Sequence, residues 1–257
     1  MTELVSAYSL SRVPYIEYAA LDDHATSVIT DFCPNILSTT MPVDIDSLLE
    51  FYLKLRVEYK QLSYDHKVLG LTAFNDGCIR VIDEQSGDTA LIYVDAGTVV
   101  IDDNLLAATK LTRMRFTLAH EASHWILHRS YFSLDNPFFQ NEKYGNQYLA
   151  AKEGQMDYSR KRREQGDSER LERQADFVAA ALLMPKPALR LAFKSFFRFY
   201  KDRPRPIYRG KSVEDDCYAK LLPKYIAKIF EVSEQAAIIR LEKLEAIVDD
   251  KKWAVRT

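Results

Sequence analysis

Two histidines and a glutamate stand close together in the segment His120-Glu121-Ala122-Ser123-His124. On an α-helix, His120 and His124 lie one turn apart on the same face, so both imidazoles can reach one metal ion. Glu121 could then contact a water molecule at that metal and accept its proton. The spacing is typical of a zinc-dependent peptidase, with two histidine ligands and Glu121 as the candidate general base.

The residues that flank this motif are apolar and favour a buried helix. They are Phe116, Leu118, Ala119, Trp125, Ile126 and Leu127. A buried His-Glu-His cluster would be costly unless a partner satisfied its polar atoms, which favours a bound metal. The alternative is two core histidines hydrogen-bonded to carbonyl groups, with a surface glutamate between them.

A catalytic zinc ion needs a third protein ligand and leaves a fourth position for water. His128 is close in sequence, but on a continuous helix it lies two turns beyond His120, too far to share the ion. We therefore predict that His128 is a helix-end residue that interacts with the last carbonyl groups of its helix.

The third ligand is predicted in a second apolar helix, which Pro185 ends. Glu172 and Asp176 are four residues apart and share one face of this helix. Glu172 is the candidate ligand, and Asp176 can accept the N–H of a ligating histidine. Glu169, one turn earlier, is the rival ligand.

Two segments together resemble the ImmA/IrrE family of metallopeptidases. They are Phe116-Thr117-Leu118-Ala119-His120-Glu121-x-x-His124-Trp125 and Glu172-x-x-Ala175-Asp176-x-x-Ala179-x-x-Leu182-Leu183-Met184-Pro185. The resemblance implies a gluzincin-like core with two histidines and a glutamate as ligands for Zn²⁺, with Mn²⁺ as the alternative metal. It also implies a site-specific endopeptidase that cleaves a helix-turn-helix transcriptional repressor, in a mobile element, a phage or a stress response.

The sequence departs from that family in two places. Ser123 stands where a glycine is usual, and the stretch between His124 and Glu172 is longer than usual. The extra length predicts an insertion at residues 130–170, which we expect to lie over the cleft as a lid. A donor is also needed to stabilise the oxyanion, and Tyr131, Tyr144 and Tyr158 are candidates by sequence proximity alone.

The predicted fold class is α+β, with a small antiparallel sheet packed on the zinc-binding helix pair in a zincin-like core. Residues Val68–Asp83 and Thr89–Asp102 are rich in strand-forming residues and are punctuated by turns, which predicts a meander of three or four antiparallel strands. The metal helix is expected to begin near Leu111. By the family resemblance, an edge strand could hold an extended peptide.

The rest of the chain reads as mostly helical. Helices are predicted over residues 14–32 and 46–55, the second with Asp44 or Asp46 as N-cap. We expect a peptidase domain at residues 14–187, a helical C-terminal subdomain at 188–250, and flexible ends at 1–13 and 251–257. The subdomain contains a helix-turn-helix-like pattern with Ser233 as the N-cap of its second helix, for which DNA binding is the alternative function.

Composition argues against several classes of protein. A net charge of −2 gives no general affinity for nucleic acid, and no apolar run has transmembrane length, so neither direct nucleic-acid binding nor a membrane partner is expected. The three cysteines, Cys33, Cys78 and Cys217, are widely spaced and odd in number. Free thiols of this kind fit a cytoplasmic protein. The alternative to an enzyme is a regulator that binds a repressor or DNA and keeps a structural or vestigial metal site.

Overall fold

The computed structural model describes residues 13–132, the backbone of residues 148–152, and residues 167–249. The α-helices are α1 Tyr18–Phe32, α2 Ile45–Ser47, α3 Leu111–His128, α4 Asp167–Leu183, α5 Lys186–Phe199, α6 Val213–Phe230 and α7 Glu234–Lys243. The strands are β1 Arg56–Lys60, β2 Val68–Ala73, β3 Gly77–Ile82, β4 Thr89–Val94, β5 Thr98–Asp102, β6 Tyr148–Lys152, β7 Ile207–Arg209 and β8 Ile247–Asp249. The α+β class is as predicted. No helix in these ranges is long and apolar enough to cross a membrane.

The main sheet has four strands in the order β1-β5-β2-β6. β5 runs antiparallel to β2 but parallel to β1, and β2 runs antiparallel to β6. The sheet is therefore mixed, and the prediction of a purely antiparallel sheet was wrong. Strand β1 was missed because its alternation, with Val57 and Tyr59 between charged residues, extends over only five positions.

The predicted meander is also corrected. β3 and β4 pair only with each other among the named strands and form a separate hairpin. The turn residues Asn75 and Asp76 end β2, and the chain then folds the hairpin over one face of the main sheet. Ile79, Val81 and Val94 of the hairpin pack with Leu71 of β2 and Val100 of β5 in one apolar cluster. The turns were visible in the sequence, but the partner of each strand was not.

The opposite face of the sheet carries the residues that reach the site. Side chains alternate between the two faces of a strand. In β2, Leu71 packs toward the hairpin, whereas Thr72 lies against α3. In β5, Val100 belongs to the hairpin cluster, while Val99 and Ile101 belong to the main core with the helices. Both faces are thus covered, which is why every residue of β5 is buried.

Helices α3 and α4 pack directly on each other, and both have small buried side chains. Ala119, Ala122 and Ser123 of α3 are buried, as are Ala175 and Ala179 of α4. Small residues let two helix backbones approach closely, and this closeness brings longer polar side chains on both helices together. α3 begins at Leu111 as predicted, and α4 ends at Leu183, two residues before Pro185.

The first two predicted helices are both shorter than expected. α1 begins at Tyr18 rather than Pro14, because the backbone before it lies along α4, where the Gln174 side chain donates to the Pro14 carbonyl. Asp44 caps α2 as proposed, but after Ser47 the chain forms a π-helical turn that ends at Tyr52. Lys54 then adopts a left-handed conformation (φ 58°), which ends any helix.

Val13 is the last residue of the segment 1–13, which was expected to be flexible. This residue is nevertheless only 2% exposed. Its carbonyl accepts a hydrogen bond from Arg170 Nη1 at 2.5 Å. Residues 1–12 and 250–257 lie outside the described residues.

The C-terminal helices form the predicted helix-turn-helix-like pair. α6 ends at Phe230, Glu231 is left-handed, and the Ser233 hydroxyl accepts from the Ala236 N–H at the start of α7. Helix α7 carries two basic residues, Arg240 and Lys243, and the first of them does not face solvent. Arg240 is 1% exposed and forms an ion pair with Asp22 of α1, and its guanidinium also donates to the Met184 carbonyl.

Replacing Arg240 with methionine should strongly destabilise the fold. The change leaves the Asp22 carboxylate buried without its partner, so we expect the free energy of unfolding to fall by about 3–5 kcal/mol. Urea denaturation would measure it. Arg190→Met, the same change at an exposed position of α5, should have an effect within about 0.5 kcal/mol. An equal loss of unfolding free energy in both variants would show that the buried ion pair does not cause the destabilisation.

Candidate metal centre

Three histidines line one face of α3 at intervals of four residues. His120, His124 and His128 are 5%, 0% and 3% exposed, and all three face α4. The two nearest imidazole nitrogens of the motif, His120 Nε2 and His124 Nε2, are 2.9 Å apart. Because the residues at i and i+4 share a helix face, α3 alone brings these two nitrogens to one point.

Helix α4 brings carboxylates to the same place. Glu172 Oε2 lies 3.3 Å from His120 Nε2, and Glu172 Oε1 lies 3.6 Å from His124 Nε2. One turn later, Asp176 Oδ1 lies 2.9 Å from His120 Nδ1. The ligand atoms of His120, His124 and Glu172 all lie within 4.8 Å of one another. The structure thus assembles the three predicted ligands, and it places Asp176 behind the first of them.

Glu121 points from α3 toward the sheet and is fully buried. Thr72 of β2 donates its hydroxyl hydrogen to Glu121 Oε2 at 2.6 Å, while the other oxygen, Oε1, has no hydrogen-bond partner among the described residues. Gly70, on the same face of β2 as Thr72, allows this approach. A methyl group at Gly70 would lie 2.7 Å from Glu121 Oε1 and 2.8 Å from Thr117 Cγ2. The strand therefore fixes one oxygen of Glu121 and leaves the other unpaired.

The chemistry of these donors fits a divalent metal ion. A carboxylate can only accept, so His120 must donate its Nδ1–H to Asp176, and His120 Nε2 then carries a lone pair when the ring is neutral. That lone pair faces His124 Nε2 and the carboxylate of Glu172. Glu172 Oε2 is buried and makes no hydrogen bond within the described part of the chain. Two imidazoles and one carboxylate are the ligands of zinc sites in one class of metallopeptidase.

The pKa values of the cluster also indicate that positive charge is stabilised there. Burial works to lower the pKa of His120, but the Asp176 and Glu172 carboxylates outweigh it and raise this pKa well above the ordinary value. Burial likewise opposes ionisation of Glu172, yet the adjacent imidazoles hold its pKa below the ordinary value. Burial lowers the pKa of His124, so this ring is neutral. The carboxylates of Asp176 and Glu172, which favour a proton on His120, would also attract a bound cation.

Burial raises the pKa of Glu121 to about 7. A carboxylate with a pKa near neutrality can both accept and return a proton in that pH range, which is what a general base needs. Burying a carboxylate in this environment costs free energy, which indicates that Glu121 has a role there.

His128 is the last residue of α3, as predicted, but its side chain makes different contacts from those expected. It does not interact with the last carbonyl groups of α3. Its Nδ1 lies 3.0 Å from His124 Nδ1, and its Nε2 lies 3.1 Å from Gln174 Oε1 of α4. Burial and the neighbouring His124 lower the pKa of His128 to about 3, so the ring is neutral. Its spacing of four residues from His124 was the available signal for this contact.

Two of the remaining candidates lie among the described residues, and two do not. Glu169, the rival ligand, is exposed on the first turn of α4. Tyr131 packs against Phe132 with ring centroids 4.9 Å apart. Tyr144 and Tyr158 lie outside the described residues, as does most of the predicted insertion. Within that insertion, β6 pairs with β2 and brings Ala151 opposite Gly70.

A second group of possible ligands lies at the far end of β5, formed by His66, Asp102 and Asp103. His66 Nδ1 is 2.8 Å from Asp102 Oδ1, but the Asp102 carboxylate also accepts from the backbone N–H groups of Leu62 and Asn104. These hydrogen bonds show that Asp102 caps the turn after β5 and holds the neighbouring loop, so the group is explained by local structure.

The class of protein follows from the fold and the donor set: a metallopeptidase-like α+β domain. The family model described as the IrrE N-terminal-like domain, a peptidase family, matches residues 79–242. The match covers more than half of the chain and includes both α3 and α4, and the chain belongs to this family. No curated protein compared with the sequence matches it.

Glu172→Ala should lose metal without loss of the fold. The change removes one of three converging ligands, so we expect zinc content after dialysis to fall from one equivalent to well below it. Inductively coupled plasma mass spectrometry would measure the zinc. Glu169→Ala is the matched control, because it removes a glutamate one turn earlier on the same helix and should leave the zinc content unchanged. Loss in the control alone would make Glu169 the ligand.

Proposed function

We propose that this protein is a zinc-dependent endopeptidase that makes site-specific cuts in a protein. The observation that carries the proposal is the pairing of two features: three ligand atoms converge in a buried space, and Glu121, next to His120 in the chain, has a buried carboxylate oxygen with no hydrogen-bond partner among the described residues. Manganese is the alternative metal, since carboxylate and imidazole ligands also suit it. A purely structural zinc site is usually closed by four protein ligands and needs no carboxylate base beside it.

His120, His124 and Glu172 would hold the ion, which would polarise the scissile carbonyl group and lower the pKa of an attacking water molecule. Glu121 accepts the proton of this water through Oε1, the oxygen that Thr72 does not occupy. As the peptide bond breaks, Glu121 returns the proton to the leaving amine. Thr72 holds the carboxylate in place during both transfers, and the surrounding apolar core limits competing water.

We propose a helix-turn-helix transcriptional repressor as the substrate. Family membership and the sequence resemblance to ImmA/IrrE metallopeptidases support this choice. An extended peptide could bind by strand addition at an edge of the main sheet, where β1 and β6 are the two outer strands. Cleavage of a repressor would relieve repression in a mobile element, a phage or a stress response.

The alternative is a regulator that binds DNA or a repressor without cleaving it. Its strongest support was the helix-turn-helix-like pair α6 and α7. However, Arg240 of the second helix is committed to a buried ion pair with Asp22 and cannot reach a phosphate group. A protein that only binds likewise does not need a buried Glu121 oxygen that has no hydrogen-bond partner in the described part of the chain.

Glu121→Gln should keep the metal and lose the activity. Glutamine fills the same space but cannot accept a proton, so cleavage should fall by about 10²- to 10⁴-fold. Mass spectrometry of newly formed protein N-termini would find the substrate, in a cell lysate incubated with the zinc-loaded protein. Normal cleavage by Glu121→Gln would exclude its role as general base. New termini spread over many unrelated proteins would exclude site-specific cleavage.

Thr72→Val should lower kcat because it removes the hydroxyl that orients Glu121 while keeping the side-chain shape. A hydrogen bond to a charged group of this kind is worth enough to reduce kcat by about tenfold. Thr72→Ser keeps the hydroxyl and should retain most of the activity, and both variants should bind zinc normally. If Thr72→Ser were as slow as Thr72→Val, packing rather than the hydroxyl would be responsible.

A further inference from the structure

The second histidine ligand is connected to the protein surface by a chain of hydrogen bonds. His124 Nδ1 contacts His128 Nδ1 at 3.0 Å, His128 Nε2 contacts Gln174 Oε1 at 3.1 Å, and Gln174 Nε2 donates to the Pro14 carbonyl at 2.8 Å. His124, His128 and Gln174 are all buried. The direction of every bond in this chain can be deduced from its last member.

The Pro14 carbonyl is an acceptor only, so the group of Gln174 that faces it must be the NH₂. This settles the orientation of the Gln174 amide, because its oxygen must then face His128. An amide oxygen only accepts, and His128 Nε2 must therefore carry a hydrogen.

A His128 ring that has its one hydrogen on Nε2 has its lone pair on Nδ1. His128 Nδ1 must accordingly accept a hydrogen from His124 Nδ1. With its one hydrogen on Nδ1, His124 then has its lone pair on Nε2, the nitrogen that faces His120 and Glu172.

We propose that Gln174 and His128 are positioning residues that select the metal-binding tautomer of His124. The two ligating histidines are thereby oriented in different ways. Asp176 orients His120 with a charged acceptor, whereas His124 is oriented by a neutral imidazole and a neutral amide. The neutral chain supplies direction without adding a further negative charge to the carboxylates already present. Partners behind a ligating histidine commonly change metal affinity by 10- to 100-fold.

This inference rests on the proposed metal site, and the tautomers themselves can be tested in the wild-type protein. The chain has five histidines, so each imidazole can be assigned by nitrogen-15 nuclear magnetic resonance of the zinc-loaded protein. We expect the hydrogen of His128 on Nε2 and that of His124 on Nδ1. A hydrogen on His128 Nδ1 would overturn the proposal.

Two substitutions at one position separate hydrogen bonding from packing. His128→Leu fills the buried space but neither donates nor accepts, and zinc affinity measured by competition with a chelator should fall about 10- to 100-fold. His128→Gln can accept from His124 with its oxygen and donate to Gln174 with its NH₂, and should recover most of that loss. Equal affinity for His128→Leu and wild type would overturn the proposal, as would equal losses for His128→Leu and His128→Gln.

Gln174→Met tests the far end of the chain without touching either ring. It removes the acceptor of the His128 Nε2 hydrogen, so the His128 resonances should shift toward a mixture of tautomers and zinc affinity should fall. His24→Leu replaces an exposed histidine of α1 and is the matched control, with no expected change in zinc affinity. A wild-type protein that binds no zinc would instead refute the proposed function, and this inference with it.

Discussion

The buried convergence of three electron-pair donors is the constraint on which the rest of this structure depends. Two imidazole nitrogens 2.9 Å apart and a carboxylate beside them would repel one another unless a cation, a proton or a metal ion, lay between them. The protein holds them together by packing α3 on α4, which brings the longer polar side chains of both helices into contact. A bound ion would thus stabilise the helix pair as well as supply chemistry.

The sheet completes the site from the other side. Its strand β2 contributes a glycine and a threonine on one face, which together admit the Glu121 carboxylate and hold one of its oxygens. The opposite face of the same strand packs under the β3–β4 hairpin, so apolar contacts on that face hold the strand that carries Thr72. The candidate metal ligands come from the helices, whereas the sheet aligns the proposed general base.

The sequence predicted the parts of the site that depend on local spacing. His120, His124, Glu172 and Asp176 follow from intervals of four residues on two helices, and the ends of α3 and α4 follow from composition and Pro185. The contacts that the sequence did not predict are between distant segments. Thr72 and Glu121 are 49 residues apart, and Gln174 and Pro14 are 160 apart. The parallel pairing of β1 with β5 was missed for the same reason, since neither strand indicates its partner locally.

X-ray absorption spectroscopy at the zinc edge of the loaded protein tests the central claim most directly, because it reports the atoms bound to the metal without requiring a substrate. The structure predicts two imidazole nitrogens, with the remaining positions filled by oxygen from Glu172 and water, all at roughly 2.0–2.2 Å. Three imidazoles in the spectrum would mean that His128 is a ligand and not a positioning residue. Sulfur at roughly 2.3 Å would mean that the metal binds a cysteine elsewhere, and the account of this site would be wrong.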